Sequence, residues 1–296
     1  MSEVQIDQEF FSAARRGLKL LSNEEQILLK KAVEDKILVN GAFGDATGED
    51  DLYSTSFGIQ LSTLLKIDRN KANTTKYLRK FDDGQGLGFL HLVSLAKCWR
   101  FYEHDSLEIG NYSKLIEKIE YNHCLDGAWN QAAGTHFSSV YGTFLGIAAF
   151  QNLDQSISGE LKIIEALKAL KSDDGAFGTD QGATHGTTPS TAFATIILEY
   201  LEENTDYGVS WLLKQQHGDG GFLAISKMPF GDMQSTVYTL MALYLAAQDK
   251  LASVAPAAKN FILSLQTPTG FRGHRKEEQP SVENTFLALV GLGLIG

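Results

Sequence analysis

Uncharged stretches alternate with charged amphipathic ones along the chain. Residues 52–65, 137–151, 188–198 and 233–248 contain no Asp, Glu, Lys or Arg, and residues 281–296 contain only Glu283. Within 233–248, Val237, Leu240, Met241, Tyr244 and Leu245 fall at helical spacing. A helix without charge on any side is a buried helix. The segments between them differ. Asn23 to Lys36, Ser113 to Glu120 and Gly159 to Lys171 intersperse lysines and glutamates among apolar positions such as Ile163, Ile164, Leu167 and Leu170. These predict outer helices with one apolar face. A small turn followed by an aromatic joins each charged segment to the next uncharged one. The copies are Gly41-Ala42-Phe43, Asp126-Gly127-Ala128-Trp129, Asp174-Gly175-Ala176-Phe177, Asp219-Gly220-Gly221-Phe222 and Gly270-Phe271. A degenerate copy, Asp82-Asp83-Gly84 with Phe89 beyond it, fills the gap after the first. The aromatics recur about every 45 residues, the length of a helix-pair repeat.

Six outer helices alternating with six inner ones predict an all-α fold. An open array of such pairs needs polar ends, whereas residues 286–296 are almost wholly apolar. The expectation is therefore a closed α6/α6 toroid, its last inner helix packed against its first. Residues 1–296 form one domain in this reading, with 1–22 an accessory N-terminal helix sealing one end and six helix pairs from about 23 to 296. Small residues on the inner segments (Gly142, Gly146, Ala148, Ala149, Ala192, Ala194, Ala242, Ala246 and Ala247) serve close helix packing, or leave an apolar pocket at the centre.

Composition narrows the function classes. The 296 residues carry 26 Lys and Arg against 36 Asp and Glu, a formal net charge of −10, which argues against nucleic acid as a partner. Two cysteines, Cys98 and Cys124, exclude a disulfide framework and suit a reducing compartment. The opening residues have neither a basic nor an apolar signal region, and the longest apolar run is too short for a bilayer. Cytoplasmic location and no stable membrane insertion are expected.

The run Gln216-His217-Gly218-Asp219-Gly220-Gly221-Phe222, followed by Asp232-Met233-Gln234-Ser235-Thr236-Val237-Tyr238, resembles the repeat of protein prenyltransferase β subunits. That repeat is related to the repeat of squalene–hopene-type terpene cyclases. The resemblance extends from about residue 37 to the end and implies an isoprenoid, as polyprenyl diphosphate or polyprene, in an apolar central cavity. It also implies a zinc ion held by Asp and Cys two apart at one inner-helix start and by His at the next. The matching positions here hold Asp232, Gln234 and Asn284. Side-chain amides are poor zinc ligands, so no cofactor and no metal are expected. For the diphosphate, the family's basic loop residues and inner-helix His direct attention to His185 and to Arg272, His274, Arg275 and Lys276, the densest basic cluster in the chain. A solvated loop balanced by Glu277 and Glu278 is the alternative. The cyclase Asp-x-Asp-Asp run has its nearest counterpart in Glu49-Asp50-Asp51, which also suits helix capping.

Inner helices of a toroid run in one direction, so the polar residues at their starts converge on one rim. Asp232, Glu283 and Asp51 are the candidate catalytic acids. Tyr53, His136, Tyr141, His185, Gln234, Tyr238, Arg272, His274, Arg275 and Asn284 are the candidate substrate-binding residues. Metal-independent prenyl transfer or cyclisation is the leading expectation. A non-catalytic isoprenoid or lipid carrier and an interaction scaffold are the alternatives. An α6/α6 glycoside hydrolase, needing two carboxylates across a Trp-rich cleft, is remote with three Trp. The family pairs this ring with a helical subunit, but the charged outer segments point to no such partner.

Overall fold

The computed structural model describes residues 5–102 and 109–296. Helix α1 (Ile6–Leu18) precedes six helix pairs: α2 (Asn23–Glu34) with α3 (Leu52–Leu64), α4 (Lys71–Arg79) with α5 (Phe89–Tyr102), α6 (Ile109–Glu120) with α7 (Val140–Asn152), α8 (Glu160–Ala169) with α9 (Thr188–Tyr200), α10 (Asp206–Leu213) with α11 (Met233–Ala246), and α12 (Gln248–Ser264) with α13 (Val282–Ile295). The first of each pair is outer and the second inner. The inner helices pack in sequence, and α13 packs against α3. The ring is closed, an α6/α6 toroid.

Among the described residues, the joints at Phe43, Trp129, Phe177, Phe222 and Phe271 are tied by a bridge from the aromatic to the end of the outer helix. In the fifth pair, Phe222 bridges Gln216 on one side and Asp232 on the other. Its backbone N–H donates to Thr236 Oγ1 at 2.9 Å, one turn inside α11. The same bond runs from Phe177 to Thr191 (3.1 Å), from Phe271 to Thr285 (3.0 Å) and from Phe43 to Thr55 (2.9 Å). In the first and last pairs the bridges extend into two-residue strands, β1 (Phe43–Gly44) with β2 (Asp50–Asp51) and β3 (Gln266–Thr267) with β4 (Gly270–Phe271). The turn aspartates add a second tie. Asp219 accepts from Gly221 N–H two residues on and from Gly231 N–H at 3.0 Å, next to the helix start. Gly220 takes φ +92°, which the tight turn requires and side chains disfavour.

The inner helices also begin alike. Asp51, Ser139, Thr187, Asp232 and Ser281 are N-caps, each side chain accepting the N–H three residues on. The second inner helix, α5, follows the degenerate turn and departs from the uncharged pattern. It carries Lys97, whose ammonium lies inside the ring.

Helix α1 lies across the end of the ring opposite the caps. Ile6 N–H donates to Gln151 Oε1 at the far end of α7, and Arg16 Nε donates to Gly293 O near the end of α13. Thirteen residues give about 20 Å, enough to cross the lumen. Its contact with α13 is very close: a Cβ at Gly17 would fall 1.9 Å from Leu289 O, and one at Gly293 would fall 1.8 Å from Ala13 O. Asp7 is buried and meets Lys97 Nζ at 2.7 Å and Asn152 Nδ2 at 2.6 Å.

The joint predicts a measurable cost. Thr236→Val keeps the volume but strands the buried Phe222 N–H, so it should destabilise the fold by about 1–3 kcal/mol in urea unfolding. Thr236→Ser should recover most of the loss.

Candidate functional site

Common caps give the inner helices a common register at the rim. Counting two residues from each cap leads to Tyr53 on α3, Tyr141 on α7, Pro189 on α9, Gln234 on α11 and Glu283 on α13. Four residues, about one turn, deeper stand Phe57, Phe193 and Tyr238. Tyr53, Tyr141, Pro189, Phe193, Gln234 and Tyr238 line one pocket of about 410 Å³. Loop residues Gln131, Thr179, Ala224 and Ile225 complete its wall. The aromatic rings form a continuous sheath: Phe193 packs on Tyr141, Phe144 and Tyr238 at 5.3, 4.3 and 4.5 Å between centroids. On the other side Tyr53 meets Phe57 edge-on, and Phe57 meets Phe286.

Glu283 stands behind this lining and is tied to it. Its Oε1 accepts from Tyr53 O–H at 2.5 Å and from Gln234 Nε2 at 2.7 Å. Burial raises the Glu283 carboxyl above its ordinary range, although the bonds from Tyr53 and Gln234 and the charge of Lys97 pull the other way. The surrounding phenols are displaced as well. Burial and the Glu283 charge push the Tyr141 hydroxyl up to about 12, and those of Tyr53 and Tyr238 higher still. The three tyrosines therefore remain neutral hydroxyls at any ordinary pH.

The other candidate acids are used differently. The Asp232 carboxylate accepts from Ser235 N–H and Ser235 Oγ, both at 2.8 Å, as the cap of α11. Burial raises it too, against those bonds and the neighbouring His274. Asp51 caps α3 through Ser54 N–H at 2.6 Å and lies 3.0 Å from His91 Nε2. Both acids occupy the N-cap position held by Ser139, Thr187 and Ser281 in other repeats. Of the remaining candidates, His136 and His185 are exposed on loops, His185 bonded to Thr184 at 2.8 Å. Asn284 is buried in the first turn of α13, its N–H held by Ser281 Oγ.

The basic cluster folds around a single ring. His274, Arg275 and Lys276 pack on Phe230 at 5.3, 4.9 and 5.2 Å. Arg275 also donates to Pro229 O at 3.2 Å and Arg272 to Glu277 O at 3.3 Å. Phe230 precedes Asp232 by two residues, so the cluster flanks the start of α11 at the same rim.

Residues 116–296, more than half of the chain, match the prenyltransferase alpha-alpha toroid domain. The chain belongs to that family. No curated protein matches the toroid in sequence. Among solved structures, it is similar to the Candida albicans protein geranylgeranyltransferase-I complexed with GGPP (12% identity, 91% of this chain and 90% of that one, TM-score 0.70). It is similar to a type II terpene cyclase from Scytonema in complex with geranylgeranyl dihydroxybenzoate (12% identity, 95% and 97% covered, TM-score 0.62). A possible GH105 family member from Salmonella enterica shares the fold at TM-score 0.58, 12% identity and coverage of 91% and 93%. At these identities the likeness is one of fold.

The family's zinc position can be tested on this toroid's own atoms. Asp232 is engaged by Ser235, and the Gln234 amide donates to Glu283. One committed carboxylate and the two amides of Gln234 and Asn284 supply neither thiolate nor imidazole, and they do not fit zinc. Among the described residues no three His, Cys, Asp or Glu side chains gather to hold a metal.

Residues that the sequence reading passes over prove central. Phe193 forms much of the pocket floor, and Asp7, Phe10 and Lys97 occupy the lumen below. Phe193 was accessible from the chain alone, since it lies six residues beyond the Thr187 cap, as Tyr238 lies beyond Asp232.

Glu283 generates a pH-dependent prediction. The folded state holds its proton more tightly than the unfolded chain does, so wild-type stability declines as pH rises from the ordinary carboxylate range through the raised value. Glu283→Gln keeps an acceptor for Tyr53 and Gln234 without the charge. Thermal unfolding should show the variant more stable than wild type at pH 8, with the gap closing towards pH 4. A gap that is constant with pH would contradict the assignment.

Proposed function

We propose that the chain binds an isoprenoid in the aromatic pocket at the cap end of the ring and acts on it without a metal, with Glu283 as the proton-transfer group. The observation that carries this reading is the coupling of one burial-raised acid to a sheath of Tyr53, Tyr141, Phe193 and Tyr238. Such a sheath is complementary to a branched apolar chain, and its ring faces stabilise a carbocation where water is excluded. Burial makes the Glu283 carboxyl hold its proton more tightly than an exposed carboxyl does, and it can return to carboxylate after donating it. The inner-helix N-termini at this rim, with Arg275 and Lys276 beside them, suit the diphosphate of a polyprenyl substrate.

The reaction is a prenyl transfer or a cyclisation. The structural neighbours from Candida and Scytonema support the isoprenoid class, because they are solved in complex with GGPP and with geranylgeranyl dihydroxybenzoate. A second reading, a carrier with the same pocket, is favoured by the unsuited donor set at the family's zinc position. For a glycoside hydrolase the pocket offers no sugar-stacking Trp, since none of its lining residues is one.

Equilibrium binding of isoprenyl diphosphates and alcohols, with product and released diphosphate assayed in parallel, tests the proposal. Phe193→Ala should weaken binding at least tenfold. Glu283→Gln should leave binding within about threefold and remove turnover. Binding without turnover in the wild type favours the carrier, and no binding by any chain overturns the isoprenoid reading.

A further inference from the structure

We propose that α1 sets the length of the isoprenoid this ring accepts, with Phe10 as the residue that ends the pocket. The inference rests on the aromatic pocket being the isoprenoid site. The inner helices α7 and α11 are 13 and 14 residues long, so the lumen they enclose is about 20 Å deep. The pocket uses only the part next to the caps. Its deepest lining residues, Phe193 and Tyr238, are the sixth residues of α9 and α11. Six helical residues span about 9 Å, the reach of roughly two isoprene units.

Helix α1 takes the rest. Phe10 is buried and meets the Tyr238 ring edge-on, with 5.9 Å between centroids, on the side away from the pocket opening. Phe11 packs on Phe101 at the far end of α5. A purely apolar plug in a lumen of this kind yields to a longer apolar chain, which replaces one oily contact by another. This plug is anchored by charge. Withdrawing α1 separates Asp7 from Lys97 and Asn152, and leaves an unpaired ammonium inside the ring, a strongly unfavourable outcome. Close backbone contact at Gly17 and Gly293 fixes the other end of the helix. The stop is therefore firm, and the chain it selects has about ten carbons. An added prenyl unit has no apolar surface left to bury.

The test is calorimetric binding of isoprenyl diphosphates and the matching alcohols with five, ten, fifteen and twenty carbons. For the wild type, affinity should rise at least tenfold from five to ten carbons and not rise further. Phe10→Ala opens space beneath Tyr238 and should bind the fifteen-carbon chain at least tenfold more tightly than wild type does. Phe10→Leu, a milder change that preserves the fold if Phe10→Ala does not, should fall between them. Affinity that climbs through twenty carbons in the wild type overturns the inference while leaving the pocket as the isoprenoid site. So does an unchanged length profile in a folded Phe10 variant. No binding by any member of either series overturns both readings.

Discussion

The organisation of this ring depends on one small hydrogen-bonded joint. At Phe43, Phe222 and Phe271 a buried aromatic residue holds the end of an outer helix by one bridge, the start of an inner helix by a second, and a threonine one turn inside that helix by its N–H. A backbone group buried at the foot of a ring of helices has no water to bond, so it must find a protein partner. The threonine satisfies it and at the same time sets the rotation of the inner helix. Since the same joint and the same kind of cap recur, the same sequence offset from the cap points into the lumen in successive repeats. A stability device thereby becomes a positioning device: whichever residue stands two places after a cap is delivered to the rim.

That constraint explains how one acid acquires a separate character. Asp232 and Asp51 sit at cap positions, where backbone N–H groups stabilise the carboxylate and the helix terminus requires it. Glu283 sits two places further on, and its carboxyl leaves the helix terminus for the lumen. There burial is the largest influence and raises the carboxyl above its ordinary range, although Tyr53, Gln234 and Lys97 favour the charged form. Displacement by two residues along a helix separates a carboxylate held by donors of its own helix start from one held by side chains of two neighbouring helices. The tyrosines share this environment, and their raised pKa values keep them as neutral donors and aromatic faces.

Much of this was legible in the chain. Charge-free segments, aromatic turns and their period specify alternating inner and outer helices, and Glu283 is conspicuous as the lone charge in its segment. Tyr53, Gln234 and Tyr238 were reachable by the convergence of inner-helix starts. The histidines were less so, because His136 and His185 lie in loops whose path is decided by turn hydrogen bonds rather than by helical period. Asp232 reads as a candidate acid from sequence because capping and catalysis favour the same residue type at the same place. Lys97 lies on an inner helix outside the charge-free segments, so the charge pattern does not point to it. Its burial depends on Asp7, far earlier in the chain, and local patterning carries no trace of a tertiary ion pair.

The Asp7–Lys97 pair is also the least economical contact in the ring. A buried ion pair recovers little beyond its own desolvation, and apolar residues of similar volume often serve stability as well. What charge adds is direction. Leu or Phe at these positions would let α1 slide or rotate among similar packings, whereas an ammonium, a carboxylate and the Asn152 amide admit one arrangement. Lys97 further spans the two halves of the lumen: it neutralises Asp7 below and lowers the Glu283 pKa above. The helix that closes one end of the ring is thus electrostatically connected to the acid at the other. The residue that anchors α1 through Asp7 is therefore also one of the groups that favour the charged form of Glu283.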